Sequence, residues 1–140
     1  MDIEIKLDCP NVDWKAVSNI LKDVGMGYYE PDLHKKAFNN SYVTVFVYHD
    51  NRMIGFGRAI SDGAYQAAIY DCAVVPEFQG KGIGRMIMKN ILSKVNQCNI
   101  VLYASPGKVG FYQKHEFRKM ITGMARFIKG ESMRELGFTE

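Results

Sequence analysis

The hydrophobic positions of the chain change period along its length, and the changes divide it into elements. Ile3, Ile5 and Leu7 alternate with polar residues, the period-two pattern of a strand. Trp14, Val17, Ile20, Leu21 and Val24 then recur at helical spacing behind Asp13, a residue suited to capping a helix start, and Gly25 and Gly27 end that run. A second helix is predicted from Pro31, since proline is well tolerated in a first helical turn, towards Asn39 and Asn40. Residues 42–49 and 53–60 are rich in Val, Ile, Phe and Tyr and flank Asp50-Asn51, which reads as a hairpin. Residues 67–75 are apolar on both faces apart from Asp71, as expected of a strand covered on both sides, and Pro76 closes the run.

Past a glycine-rich loop, Ile83, Met86, Ile87, Ile91 and Val95 return to helical spacing, with Arg85, Lys89 and Lys94 on other faces. A short strand over residues 100–104, a short helix over 108–115 and a last strand over 124–128 complete the expected order βααβββαβαβ. Repeats, low-complexity tracts and Pro/Ser-rich linkers are absent from the 140 residues, so a single domain, 1–140, is expected to hold the whole site.

Composition narrows the function classes. Hydrophobic residues at 47% and charged residues at 24% suit a globular chain with a proper core and exclude disordered and collagen-like classes. The net charge of +3 comes from scattered Lys and Arg, unlike a nucleic-acid-binding arm, and suits a small anionic ligand. The longest mainly apolar run, residues 42–48, falls far short of the roughly 18 residues of a membrane span, and the amino terminus lacks a signal-peptide pattern. Cys9, Cys72 and Cys98 form no C-x-x-C pair, which points to a reducing cytoplasm. His34, His49 and His115 make no metal-ligand pattern, so no metal is expected and surface or loop positions are assigned to them.

The chemistry-bearing segment is Val74-Val75-Pro76-Glu77-Phe78-Gln79-Gly80-Lys81-Gly82-Ile83-Gly84, which leaves a buried strand and enters an amphipathic helix. Glycines let successive backbone N–H groups converge on an anion at a helix start, where the helix adds partial positive charge. A pyrophosphate fits such a cradle, each hydrogen bond to a charged oxygen contributing roughly 1.5 to 3 kcal/mol. The dinucleotide fingerprint G-x-G-x-x-G fails at Arg85, and the P-loop pattern has no glycine, lysine and hydroxyl residue in succession.

The pattern that does fit is Q-x-x-G-x-G, carried by Gln79, Gly82 and Gly84, and with it the chain resembles the GNAT superfamily of acetyl-CoA-dependent N-acetyltransferases. Asp71-Cys72-Ala73-Val74-Val75-Pro76 looks like that family's fourth strand, whose backbone lines the pantetheine arm, and Gly110-Phe111-Tyr112-Gln113-Lys114 looks like its later F-Y motif. The likeness is good over residues 42–117 and slight over the last twenty or so. It implies an α+β fold with a mixed, mainly antiparallel sheet and helices on both faces, and acetyl-CoA as acyl donor. The cofactor contacts it implies are Cys72, Ala73, Val74, Gln79, Gly80, Lys81, Gly82, Ile83, Gly84, Arg85, Ser105, Phe111 and Tyr112. Glu116 stands where the family often has a helix-ending glycine, so another residue must accept the left-handed conformation if the usual turn is kept.

Acetyl transfer to an amine needs a neutral amine, a stabilised oxyanion and a stabilised thiolate. An alkylamine of pKa near 10.4 pays about 4.6 kcal/mol to be neutral at pH 7. Asp71, alone in its apolar run, is either the base that takes this proton or a carboxylate holding nearby backbone N–H groups. The resemblance places the Tyr112 phenol beside the cofactor sulfur, where it donates to the thiolate, and gives the oxyanion a backbone N–H near Val74. Cys72 lacks a histidine at suggestive spacing and is read as core packing.

Tyr28 and Tyr29, between two glycines and the acids Glu30 and Asp32, are the candidates for the acceptor site, the alternative being that they cap the core. The stretch Gly57-Arg58-Ala59-Ile60-Ser61-Asp62-Gly63 with Ile69-Tyr70-Asp71 also resembles the arylalkylamine-acetylating branch that includes plant serotonin acetyltransferases. The expected activity is direct transfer, in a ternary complex, to a small arylalkylamine or polyamine. Protein lysine or N-terminal acetylation, or acetyl-CoA binding without catalysis, are the alternatives. Phosphate-backbone binding through Lys81, Arg85 and Lys89 lacks the interleaved aromatics of single-strand binders. An amine or peptide is thus the expected partner, nucleic acid and membrane are not, and a homodimer is left open.

Overall fold

The computed structural model describes residues 2–140 and separates into two compact units, Met1–Val101 and Leu102–Glu140. The first unit holds a sheet of five strands in spatial order β1-β2-β3-β4-β5, formed by β1 (Ile3–Lys6), β2 (Val43–His49), β3 (Arg52–Ser61), β4 (Gln66–Val74) and β5 (Asn99–Val101). The first four strands run antiparallel and β5 joins β4 in parallel. Three helices belong to this unit, α1 (Trp14–Asp23), α2 (Pro31–Asn39) and α3 (Ile83–Lys94). α3 supplies the crossover that a parallel pair requires.

Local signals account for the boundaries. The Asp13 carboxylate accepts the Ala16 N–H at 3.1 Å and caps α1, and Pro31 opens α2. Asp50 and Asn51 take φ values of +49° and +62°, the two left-handed residues of a tight hairpin whose twist matches its strands. Strand alternation then sorts the side chains between two faces. Phe46 and Phe56 pair across β2 and β3 and meet Phe38 of α2 at 5.5 and 5.9 Å, with Trp14 of α1 5.5 Å from Phe38. Gly55 and Gly57 flank Phe56 and face the other way, towards α3. A Cβ at Gly57 would lie 2.8 Å from the Cys72 sulfur and 2.9 Å from Ile87, so the helix rests on a glycine floor and even alanine there overpacks it by about 1 to 3 kcal/mol. Ile83, Ile87, Met88 and Ile91 are buried on that side, each contributing roughly 1.5 to 3 kcal/mol.

β4 departs from the expected double covering. Ala67, Ile69 and Ala73 are buried, while Ala68, Tyr70 and Val74 are only partly covered.

The second unit contains α4 (Val109–Gln113) and α5 (Gly130–Glu135). The strand expected over residues 124–128 does not form, and the observed order is βααβββαβαα. Met124 and Ile128 are fully exposed, at 99% and 103%. Strand propensity there finds no ladder to join, and an unpaired extended segment gains too little to hold a strand.

Candidate active site

The glycine loop presents open backbone at the start of a long helix. After β4 a 3-10 turn, Pro76–Phe78, leads to Gln79, whose side-chain amide donates to the Val74 carbonyl at 2.9 Å and ties the loop to the strand end. Gly80 and Gly82 have φ of +76° and +85°, and a Cβ at either would meet nothing within 4 Å, so the backbone is open to a ligand. Gly82 is the N-cap of the 12-residue α3, with no capping side chain and no acid in the first turn. The first-turn N–H groups and the helix dipole are therefore available to an anion. Lys81 and Arg85 are exposed beside them. Ile83, 1% exposed, has its side chain in the core and offers the loop only its backbone.

The end of β4 leads directly into this loop. The β4–β5 ladder ends at Ala68 and Val101 while β4 continues to Val74, and an open strand edge offers backbone donors and acceptors to an extended amide-bearing ligand. The register between β3 and β4 shifts opposite Gly57, and Asp71 takes φ +57° in this bulge, a conformation that a short polar side chain tolerates better than most. The Asp71 carboxylate accepts from the Arg58 Nε at 2.7 Å, and both side chains are largely buried. Arg58 in turn lies over the Phe38 and Tyr70 rings, 5.6 and 5.4 Å from their centroids, and donates to Ser41 at 3.3 Å. The partner of Asp71 is thus a guanidinium, where backbone N–H groups were one expectation. The pairing of Arg58 with Asp71 was not anticipated, although Arg58 interrupts the apolar β3 just as Asp71 interrupts β4. Burial, reinforced by the Asp71 carboxylate, pushes the Cys72 thiol up to about 12, which keeps it protonated and inert at neutral pH.

The segment between α1 and α2 carries Tyr28 and Tyr29, 50% and 62% exposed, so neither caps the core. Tyr28 lies under the Lys22 ammonium at 5.7 Å. His34, expected at the surface or in a loop, is instead buried on α2 at 3% exposure. It shares its helix face with Phe38, one turn on, while Leu33 is turned out to solvent. That i, i+4 pairing with Phe38 was the signal available in the sequence.

In the second unit α4 carries Phe111 and Tyr112 edge to face at 5.1 Å, with Tyr112 6.0 Å from Phe117. Lys108 N–H donates to the Ser105 carbonyl at 2.9 Å in the turn before α4. Phe117 N–H returns to the Tyr112 carbonyl and Glu116 N–H to that of Gln113, while Glu116 adopts φ +69°. The helix therefore ends in a Schellman turn in which Glu116 itself occupies the left-handed position usually given to glycine.

Residues 20–130 match the family model described as an acetyltransferase (GNAT) domain. The chain is 35% identical over 112 residues to an uncharacterised N-acetyltransferase, ycf52, of Gracilaria tenuistipitata var. liui, covering 75% of this chain and 55% of that protein. It is 28% identical over 116 residues to chloroplastic serotonin N-acetyltransferase 2 of Oryza sativa subsp. japonica, covering 78% of this chain and 58% of that one. The chain thus spans little more than half the length of these relatives. Among solved structures, a GNAT-family acetyltransferase of Streptococcus pneumoniae superposes with a TM-score of 0.76 at 24% identity, over 91% of this chain and 99% of that chain.

Proposed function

The chain belongs to the GNAT acetyltransferase family, and from that premise we propose that it transfers the acetyl group of acetyl-CoA directly to the primary amine of a small arylalkylamine or polyamine. The observation that carries the reading is the uncapped α3 amino terminus behind the left-handed Gly80 and Gly82, next to the open edge of β4.

In this reading the N–H groups of residues 80–85 hold the pyrophosphate, with Lys81 and Arg85 adding charge, and the β4 edge at Cys72, Ala73 and Val74 aligns the pantetheine arm. By resemblance to the family, Ser105 and Phe111 are further cofactor contacts. Acetyl-CoA supplies the activated acyl group as a thioester. By the family resemblance, a backbone N–H near Val74 would stabilise the developing oxyanion and the Tyr112 hydroxyl would donate to the departing sulfur. Against a thiol near 8.5, a phenol near 10 is the weaker acid by about 2 kcal/mol, so hydrogen bonding contributes more than complete proton transfer. Asp71 serves by holding Arg58 and the bulge, a role that the ion pair and its left-handed backbone account for. Exposed Tyr28 and Tyr29, with Glu30 and Asp32 beside them, receive an aromatic, cationic amine.

The test is product analysis by mass spectrometry with acetyl-CoA and a panel of tryptamine, serotonin, spermidine and a lysine peptide. Acetylated arylalkylamine or polyamine is expected to exceed acetylated peptide by at least tenfold in kcat/KM. Preference for the peptide would transfer the activity to protein acceptors.

A further inference from the structure

Both backbone polar groups of Tyr29 are held by buried side chains from the two helices that flank it. Ser18 of α1, 7% exposed, donates its hydroxyl to the Tyr29 carbonyl. The Tyr29 N–H donates to Nε2 of His34 on α2 at 2.9 Å. The imidazole also meets the Tyr29 ring edge to face, 5.7 Å between centroids. A loop residue gripped at its N–H, its carbonyl and its ring, yet 62% exposed, is a side chain presented outward from a fixed backbone.

An imidazole nitrogen accepts a hydrogen bond only while it carries no proton, so this contact requires the neutral ring with its hydrogen on Nδ1. A protonated ring would set two donors against each other.

We infer that His34 is a positioning residue for the acceptor amine, accepting the Tyr29 N–H so that Tyr28 and Tyr29 face the acceptor in one geometry, and releasing the loop when it takes up a proton. The inference rests on the acceptor reading given above. Burial of the ring is the main influence on its titration and lowers its pKa from the ordinary 6.5. The charged groups acting on it from the sheet are Asp71 of β4, which favours the proton, and Arg58 of β3, which opposes it. Because the folded value lies below the unfolded one, the unfolded chain binds the proton first as pH falls. Stability from this group is therefore complete above about 6.5 and lost progressively below it.

Hydrogen exchange followed by mass spectrometry on the full chain, at pH 5.5 to 7.5 and corrected for intrinsic rates, reads the contact through peptides covering residues 24–30. Wild-type protection of the Tyr29 amide is expected to fall below pH 6.5, His34→Phe to be unprotected throughout, and His34→Gln, which accepts but does not titrate, to remain protected. With tryptamine as probe at pH 7.5, His34→Phe should raise KM roughly fivefold, the size of one lost neutral hydrogen bond. Its kcat and acetyl-CoA affinity should stay within about twofold of wild type, and His34→Gln should restore KM. On acidification the wild-type KM should rise relative to that of His34→Gln. Protection independent of pH in the wild type overturns the inference without need of any variant. Equal KM profiles for wild type and His34→Gln also overturn it. If wild type acetylates neither tryptamine nor spermidine while the exchange results hold, the acceptor reading has failed and His34 is only a structural pin.

Discussion

Gly82→Val is expected to give a folded protein whose affinity for acetyl-CoA falls by more than about 100-fold, since several charge-assisted hydrogen bonds of roughly 1.5 to 3 kcal/mol each depend on that loop. Two effects act together. At φ +85° a branched residue is strained by about 1 to 3 kcal/mol, so the loop will leave the conformation in which its N–H groups converge. The added methyls would also stand over the α3 amino terminus, where the backbone now has open space. The same open space means that no core neighbour is displaced, and thermal unfolding without ligand should show a cooperative transition. Titration calorimetry with acetyl-CoA on the folded variant checks the result, and wild-type affinity would place the anion elsewhere.

Tyr112→Phe should bind acetyl-CoA almost normally and turn over roughly 10²-fold more slowly or worse, the usual range for loss of a positioned proton donor. The ring contacts with Phe111 and Phe117 survive the change, so a selective fall in kcat separates a role at the sulfur from a role in packing. Asp71→Asn supplies the contrast. Asparagine accepts the left-handed bulge but leaves Arg58 without its carboxylate, so the expected loss is in stability, about 2 kcal/mol in denaturant titrations, with an unchanged shape of the pH–rate profile. A profile that loses its acidic limb in Asp71→Asn would make Asp71 the base after all.

The parts of the fold that could be read in the sequence are those fixed by local chemistry. Asp13, Pro31, the Asp50-Asn51 turn, Pro76 and the glycines before α3 each determine a boundary through their own dihedral or capping preference. Pairings between distant segments were less legible. The bulge that brings Asp71 to Arg58 depends on the β3–β4 register, which neither strand specifies alone. His34 was misplaced because a histidine carries no burial signal by itself, and only its helical phase with Phe38 indicates the inward face. Residues 124–128 have the composition of a strand, but a strand exists only with a partner, and composition does not supply one.

We propose that this chain moves the acetyl group of acetyl-CoA to an amine through the glycine-loop site. The most direct measurement follows thiol release and acetylated tryptamine in one reaction, with wild type and Gly82→Val in parallel. Thiol and acetylated amine should appear in equal amounts in the wild type, and both should be lost in the variant. Binding of neither acetyl-CoA nor desulfo-CoA by the folded wild type at millimolar concentration, or equal turnover by Gly82→Val, would contradict the account.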